Sequence, residues 1–491
     1  MRLSDVVNQK WNDKWHEEAE AAFKEILSGG GVGRYPASAA SAVQIRSPKL
    51  AEDGAPFAAL IHPNNQSSGG YAGMSFVVFP SPDAPTALIA MVVGTLGLGD
   101  DAPTLGRPGH ARRLAALTRW LNSEFGGGRQ FAWSKTDPAA IDVDLPEDLR
   151  KQLPSFQSAL RKYGKVIYAF AVPPHGEPAA LRAALFGFLD LAMEERGILP
   201  LTAHLRERDA IQAAYLGKTM PDIAVADIAA LLARRRYAIV EGPPGTGKTR
   251  LALEVRRLVY GGRGTTVQFH PGTTYENFIG GLAPVTGDDQ LGLRFEPRAG
   301  FLMNAIDAAQ ACYPEPYLLH LDEVNRADLA KVLGEAIYLL EPSDAARTVQ
   351  LPYEFHRRMG DSSATLAVPE NLHILGTMNS ADRSIAILDV AIRRRFAFVR
   401  LWPQRTVVEE LSCATMLEAF DRLSGIFLDW ATDEAFALLP GHSYFLDPSP
   451  EAAPATLKQN LVPLLEEYLA QGYLPGFAES VRTYIQWVES L

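Results

Sequence analysis

Eight consecutive residues, Gly242-Pro243-Pro244-Gly245-Thr246-Gly247-Lys248-Thr249, have the types and spacing to hold a phosphate chain. Gly242, Gly245 and Gly247 permit backbone conformations that a β-carbon forbids, so successive amide N–H groups can turn inward around an anion. Lys248 can reach the β- and γ-phosphates as a mobile point charge, and Thr249 can offer its hydroxyl to Mg²⁺. A second constellation is the apolar run Tyr317-Leu318-Leu319-His320-Leu321, which ends in Asp322-Glu323. Asp322 is placed to serve Mg²⁺, and Glu323 to orient and deprotonate an attacking water. A third run, from Leu372, ends in Asn379, whose amide could bond the water or the γ-phosphate. Asn at a strand end is commonly a turn former, so that reading leans on its neighbours. Farther on stand Arg393-Arg394-Arg395. They read either as a solvated basic face or as a source of one or two arginines reaching a neighbouring subunit's γ-phosphate. An arginine supplied in trans is worth a rate factor of about 10³ to 10⁵. It requires head-to-tail assembly, and head-to-tail contacts that close make rings.

The elements that must position these groups are legible around them. Tyr237-Ala238-Ile239-Val240 reads as a buried strand entering the loop. Leu251, Val255, Leu258 and Val259 recur at i, i+4, i+7 and i+8, which predicts an amphipathic helix leaving it. Strand, loop, helix aims a helix N-terminus at an anion. Beyond residue 200 strands and helices alternate, as a parallel α/β sheet requires, and 403–491 reads as helical. The first 200 residues differ. Helical periodicity runs over 3–27, with Trp11 and Trp15 one turn apart. Strand-like runs follow at 57–61, 74–79, 87–93 and 166–172, with helices over 111–125, 146–163 and 178–196. Clustered strands with helices after them predict an α+β domain. The expected organisation is an α+β domain over 1–200, an α/β nucleotide-binding domain over 201–402 and an α-helical lid over 403–491.

A chain of 491 residues with 47% apolar and 21% charged residues is an ordinary folded protein of two or three domains. The formal charge of −10 argues against a surface coated with nucleic acid, though not against a local basic patch. Two cysteines are too few for a disulfide framework and suit a reducing compartment. No stretch is long and apolar enough to span a bilayer, and the N-terminus lacks a signal-peptide core, so a cytoplasmic chain without a membrane anchor is expected. Arg112, Arg113 and Arg119 share one stripe of a predicted helix, read more readily as a solvated face than as a phosphate-binding one. Asp142, Asp144, Glu147, Asp148 and Lys151 come nearest to a metal-dependent nuclease cluster. They sit at a helix start, where acids simply complement the dipole, so the chain is not expected to cut DNA.

The strings Val267-Gln268-Phe269-His270-Pro271, Tyr275-Glu276-Asn277-Phe278-Ile279-Gly280-Gly281 and Leu321-Asp322-Glu323-Val324-Asn325-Arg326-Ala327 resemble the McrB family. So do Met378-Asn379-Ser380-Ala381-Asp382-Arg383-Ser384, Leu388-Asp389-Val390-Ala391-Ile392-Arg393-Arg394-Arg395-Phe396 and Gly441-His442-Ser443-Tyr444-Phe445. McrB proteins are AAA+ motor subunits of modification-dependent restriction systems. The resemblance covers roughly residues 215 to 475. It implies a P-loop AAA+ NTPase with Mg²⁺, a hexameric ring with the nucleotide between subunits, Asn379 as sensor and an arginine finger within Arg393, Arg394 and Arg395. It also implies a McrC-like PD-(D/E)xK nuclease as partner, and target DNA, often modified, read by the N-terminal region. Phosphate-loop amides do not read bases, so GTP and ATP both remain open. Two other readings stay open: a MoxR-like chaperone remodelling a protein client, and a nucleotide-dependent defence sensor or scaffold.

Overall fold

The computed structural model describes residues 2–48, 55–286, 293–341, 346–355, 363–381 and 389–491. The chain divides into two compact units. One comprises Met1–Met220 with Leu428–Trp430, the other Pro221–Phe427 with Ala431–Leu491.

The first unit is α+β. Its six strands are antiparallel, in the order Gln44–Arg46, Ala58–Ile61, Met74–Pro80, Ala87–Val93, Ile167–Ala171, Ala132–Ser134. Every residue of the Met74–Pro80 and Ala87–Val93 strands is buried. Their continuous apolar sequence follows from that, because both faces are covered. Phe76, Val78, Ile89 and Met91 pack with Trp15, Phe23, Leu117 and Phe188 on one face. Val77, Phe79, Leu88 and Ala90 pack with Leu145, Phe156 and Leu160 on the other.

Three expectations fail in this unit. The helix expected over 3–27 is two helices, Leu3–Val7 and Trp15–Ile26, so Trp11 and Trp15 are not successive turns of one helix. Trp15 Nε1–H donates to Val6 O at 3.2 Å, tying the second helix to the first. The helix expected over 146–163 is broken into Glu147–Lys151 and Gln157–Tyr163, with a 3₁₀ turn at Pro154–Phe156. Proline has no N–H to continue the ladder and pushes the preceding residue out of helical geometry. The arginine stripe is not one solvated face either. Arg112 is buried, Arg113 pairs with Glu194 at 3.4 Å, and Arg119 is exposed. The acidic group is locally paired, Asp144 with Arg150 at 2.6 Å and Glu147 with Lys151 at 3.1 Å.

The second unit is α/β. Its five strands are parallel, in the order Ala397–Arg400, Tyr237–Gly242, Leu372–Asn379, Tyr317–Asp322, Gly264–Gln268. Ile239, Leu319, Leu321 and Ile374 pack with Leu302 and Ile306 of the Phe301–Ala311 helix on one face. Ala238, Val240, Leu318 and Leu375 pack with Leu251 and Val255 on the other. Each large apolar side chain buried this way is worth roughly 1.5–3 kcal/mol. The helix after the phosphate loop is Lys248–Leu258, ending one residue before the apolar stripe does, and Leu258 and Val259 are exposed there. Two antiparallel hairpins, Gly280–Thr286 with Leu293–Ala299 and Thr348–Phe355 with Ser363–Ala367, are added to the sheet domain. The C-terminal part is helical, including Arg405–Leu411, Ala414–Trp430, Val462–Ala470 and Ala478–Ser490. Among the described residues no helix is long and apolar enough to cross a membrane.

Candidate nucleotide-binding site

The carboxyl ends of three neighbouring parallel strands converge at residues 242–249. Strand register sets the arrangement. Asn379 pairs with Gly242, the first residue of the loop. Leu321 pairs with Gly376, so Asp322 and Thr377 leave the sheet side by side. Open α/β sheets bind ligands at this edge.

Within the loop, Gly245 and Gly247 take φ of 80° and 78°, the left-handed region that favours glycine. Thr246 Oγ1 donates to Pro243 O at 2.9 Å, which closes the turn. Lys248 Nζ donates to Gly242 O at 3.0 Å and Pro243 O at 2.8 Å, so the ammonium lies across the mouth of the loop. Pro244 O accepts the Gly441 N–H at 2.9 Å, tying the loop to the C-terminal helical part.

Thr249 Oγ1 donates to Asp322 Oδ1 at 3.0 Å, which joins the loop's last residue to the end of the adjacent strand. A hydroxyl and a carboxylate together are hard oxygen donors that suit Mg²⁺ shared with phosphate oxygens and water. The same Oδ1 accepts from Thr377 Oγ1 at 2.5 Å. His320 is fully buried behind it, with Nε2 3.8 Å from Oδ1. Burial lowers the His320 pKa to about 4, so the ring stands neutral beside the aspartate.

Glu323 sits in the left-handed region at φ 57°, ψ 47°. A non-glycine residue there costs about 1 kcal/mol or more and persists only where its surroundings impose it. The surroundings do. Glu323 N–H donates to Thr377 Oγ1 at 3.3 Å, and the carboxylate accepts both 3.0 and 3.2 Å bonds from Asn379 Nδ2. Arg326 Nε approaches Oε2 at 3.4 Å. Asn325, buried, donates to Asn379 O at 3.2 Å and holds that strand end in place.

The structure thus brings together Lys248, Thr249, Asp322, Glu323 and Asn379. The three arginines have other partners. The Val390–Arg395 helix is capped by Asp389, which accepts the Ala391 N–H at 3.2 Å. Arg393 stacks on Phe398 at 5.4 Å, and Arg395 Nη1 donates to Ala391 O at 3.1 Å. Arg394 is 75% exposed with Nη2 3.9 Å from Glu341. None of these partners belongs to the phosphate loop. Of the Met378–Ser384 string, Asp382, Arg383 and Ser384 lie outside the described residues, as does Leu388.

Sequence reasoning missed Thr377 and Asn325 as members of the site. Their signal was adjacency: Thr377 stands two residues before Asn379, and Asn325 two after Glu323. Strand register turns that adjacency into contact.

Residues 238–396 match the family "AAA domain (dynein-related subfamily)". The chain is 31% identical over 276 residues to the "Type IV methyl-directed restriction enzyme EcoKMcrB subunit" of Escherichia coli (strain K12), covering 51% of this chain and 57% of that protein. It is 31% identical over 194 residues to the "Type II restriction enzyme BsuMI component YdiS" of Bacillus subtilis (strain 168), covering 33% and 56% respectively. The chain therefore spans a little over half the length of these relatives. A putative ATPase from Cytophaga hutchinsonii superposes at 18% identity with a TM-score of 0.24, over 50% of this chain and 61% of its own. The chain carries an AAA domain and is similar to McrB-type restriction components, with an α+β unit preceding the α/β sheet and its helical C-terminal part.

Proposed function

We propose that this chain is the NTPase motor of a restriction system, hydrolysing GTP or ATP in a homohexameric ring. The observation that carries the reading is the Asn379–Glu323 pair beside Thr249–Asp322 at the mouth of the loop. The loop amides and Lys248 hold the phosphate chain. Thr249 and Asp322 would hold Mg²⁺, which would supply charge neutralisation to the phosphates. Glu323 takes a proton from water as its oxygen attacks the γ-phosphorus, and the bond to the β–γ bridging oxygen breaks, giving a nucleoside diphosphate and inorganic phosphate. Asn379 fixes the direction of the Glu323 carboxylate and senses the γ-phosphate. Arg394 completes the neighbouring subunit's site, with Arg395 anchoring the helix that carries it.

Residues 201–402 act as the motor and 403–491 as its lid, while 1–200 recognise target DNA. A cavity of about 650 Å³ in the first unit, lined by Arg46, Phe57, Tyr71, Lys162 and Tyr163, offers the aromatic and cationic chemistry that a base requires. The partner is a McrC-like PD-(D/E)xK endonuclease driven by hydrolysis, in keeping with the two restriction components that the chain resembles.

The test is turnover of GTP and ATP by the purified chain, alone and with DNA and a McrC-like PD-(D/E)xK nuclease. Glu323→Gln is expected to lower turnover about 10²- to 10⁴-fold with nucleotide affinity retained. Undiminished turnover in that variant would remove Glu323 as the base.

A further inference from the structure

The C-terminal helical part brings to the loop a histidine that the loop motif does not account for. The His442–Phe445 turn lies against residues 244–246: Gly441 N–H donates to Pro244 O at 2.9 Å and Ser443 N–H to Gly245 O at 3.0 Å. The packing is close enough that a β-carbon at Gly441 would collide with the Gly245 carbonyl, and one at Gly245 with Ser443 Oγ and the Tyr444 ring. His442 sits at the start of this turn, only 9% exposed. Its Nδ1 accepts the Gln404 backbone N–H at 3.2 Å, so in the neutral ring the proton resides on Nε2. Burial, then the nearby Arg250 charge, lowers its pKa to about 4, which keeps the ring neutral at physiological pH.

Nε2 makes no hydrogen bond to any described residue. It stands 3.6 Å from where a β-carbon of Gly247 would be. Gly247 is the N-cap of the Lys248–Leu258 helix, whose first amides face the anion site. The Nε2–H of a nine-tenths buried histidine therefore stands beside the turn that cradles phosphate, and among the described residues nothing accepts from it.

We propose that His442 is a nucleotide-binding residue whose Nε2–H donates to a phosphate oxygen of the di- or triphosphate held by residues 242–249. The inference rests on the reading of that loop as the nucleotide site and adds a contact supplied by the helical part. Bound phosphate then ties the sheet domain and the helical part together through one imidazole, so the helical part registers whether the loop is filled.

The experiment measures binding of fluorescent GTP and ATP to the full chain, with inorganic triphosphate as competitor. His442→Leu, which removes the donor at similar volume, is expected to weaken binding of nucleotide and of inorganic triphosphate alike by about 10- to 100-fold. His442→Gln, which keeps an N–H donor, is expected to stay within about threefold of the unsubstituted chain. Should His442→Leu fail to fold in a thermal melt, His442→Phe supplies a second ring without a donor. Unchanged affinity in the donorless variant, equal loss in the Gln variant, or a loss confined to nucleotide and absent for inorganic triphosphate overturns the proposal. Lys248→Ala separates the two levels of the argument. If the unsubstituted chain binds and Lys248→Ala does not, a silent His442→Leu refutes this inference alone. If the unsubstituted chain binds neither nucleotide, the loop reading falls with it.

Discussion

The two units bury charge in opposite ways. In the first, buried cations meet carboxylates at short range. Arg34, 3% exposed, bonds Asp190 through two nitrogens and Glu207 at 2.9 Å, with the Phe186 ring 3.9 Å beneath its guanidinium. Tyr35 donates to the same Asp190 at 2.6 Å. Glu195 is shared between Arg107 and His110, and although burial alone would raise its pKa, those two partners hold it below the ordinary carboxylate value. In the second unit, the carboxylates at the strand ends meet mostly neutral groups: hydroxyls and an uncharged imidazole at Asp322, an amide at Glu323. The first pattern is complete in one chain and serves the fold. The second leaves negative charge and strained backbone beside an anion-binding loop, where the proposed Mg²⁺-nucleotide would balance it.

Arg394 gives the sharpest test, because as the proposed finger it would extend the incomplete pattern from one chain to two. It is exposed and meets Glu341 only at 3.9 Å, so little holds it in its own subunit. Arg394→Ala is expected to lower turnover about 10³-fold or more while leaving binding intact. Mixing that variant with Lys248→Ala chains should restore part of the activity, since some interfaces then pair an intact loop with an intact arginine. Turnover that survives in Arg394→Ala, measured as phosphate release, transfers the role to Arg393 or refutes a finger altogether.

The first unit should fail differently. Asp190→Ala leaves the buried Arg34 guanidinium with Glu207 as its carboxylate and takes the acceptor from the buried Tyr35 phenol, and removing one partner of such a cluster costs about 3–5 kcal/mol. Denaturant unfolding should show that loss, with nucleotide affinity of the folded chain unaltered. A loss below about 1 kcal/mol would mean that the cluster is no tighter than a surface pair and would erase the contrast.

How much of this was legible depended on whether the information was local. The phosphate loop is eight adjacent residues, and its glycines, lysine and threonine can be assigned roles without knowing what lies nearby. Asp322, Glu323 and Asn379 were legible because each ends an apolar strand. Thr377 was not, because its role exists only through the pairing of Leu321 with Gly376, a contact between distant segments. Periodicity misled where packing decided. Leu258 and Val259 lie on the apolar stripe yet are exposed where the helix ends, and Arg112 lies on a polar stripe yet is buried. The strands Gln44–Arg46 and Ala132–Ser134 are three residues each, too short to show alternation.

Thr377 supplies the smallest effect and the most specific one. Its hydroxyl donates to Asp322 Oδ1 and accepts the Glu323 N–H, so one group fixes the orientation of both carboxylate residues without reaching the nucleotide. Thr377→Val keeps the shape and deletes both bonds. The strand pairing and buried core around it are unchanged, so the fold should hold. What should change is the alignment of Glu323 with the attacked phosphorus, where small displacements are felt mainly in the rate. An expected drop of about 10- to 30-fold in kcat, with KM and nucleotide affinity within about threefold, marks a positioning role. Thr377→Ser restores the hydroxyl and should recover most of the rate. If Val and Ser behave alike, or if affinity falls together with kcat, then Thr377 acts through packing. The second unit's site would then be held together, like the first unit's clusters, by the fold alone.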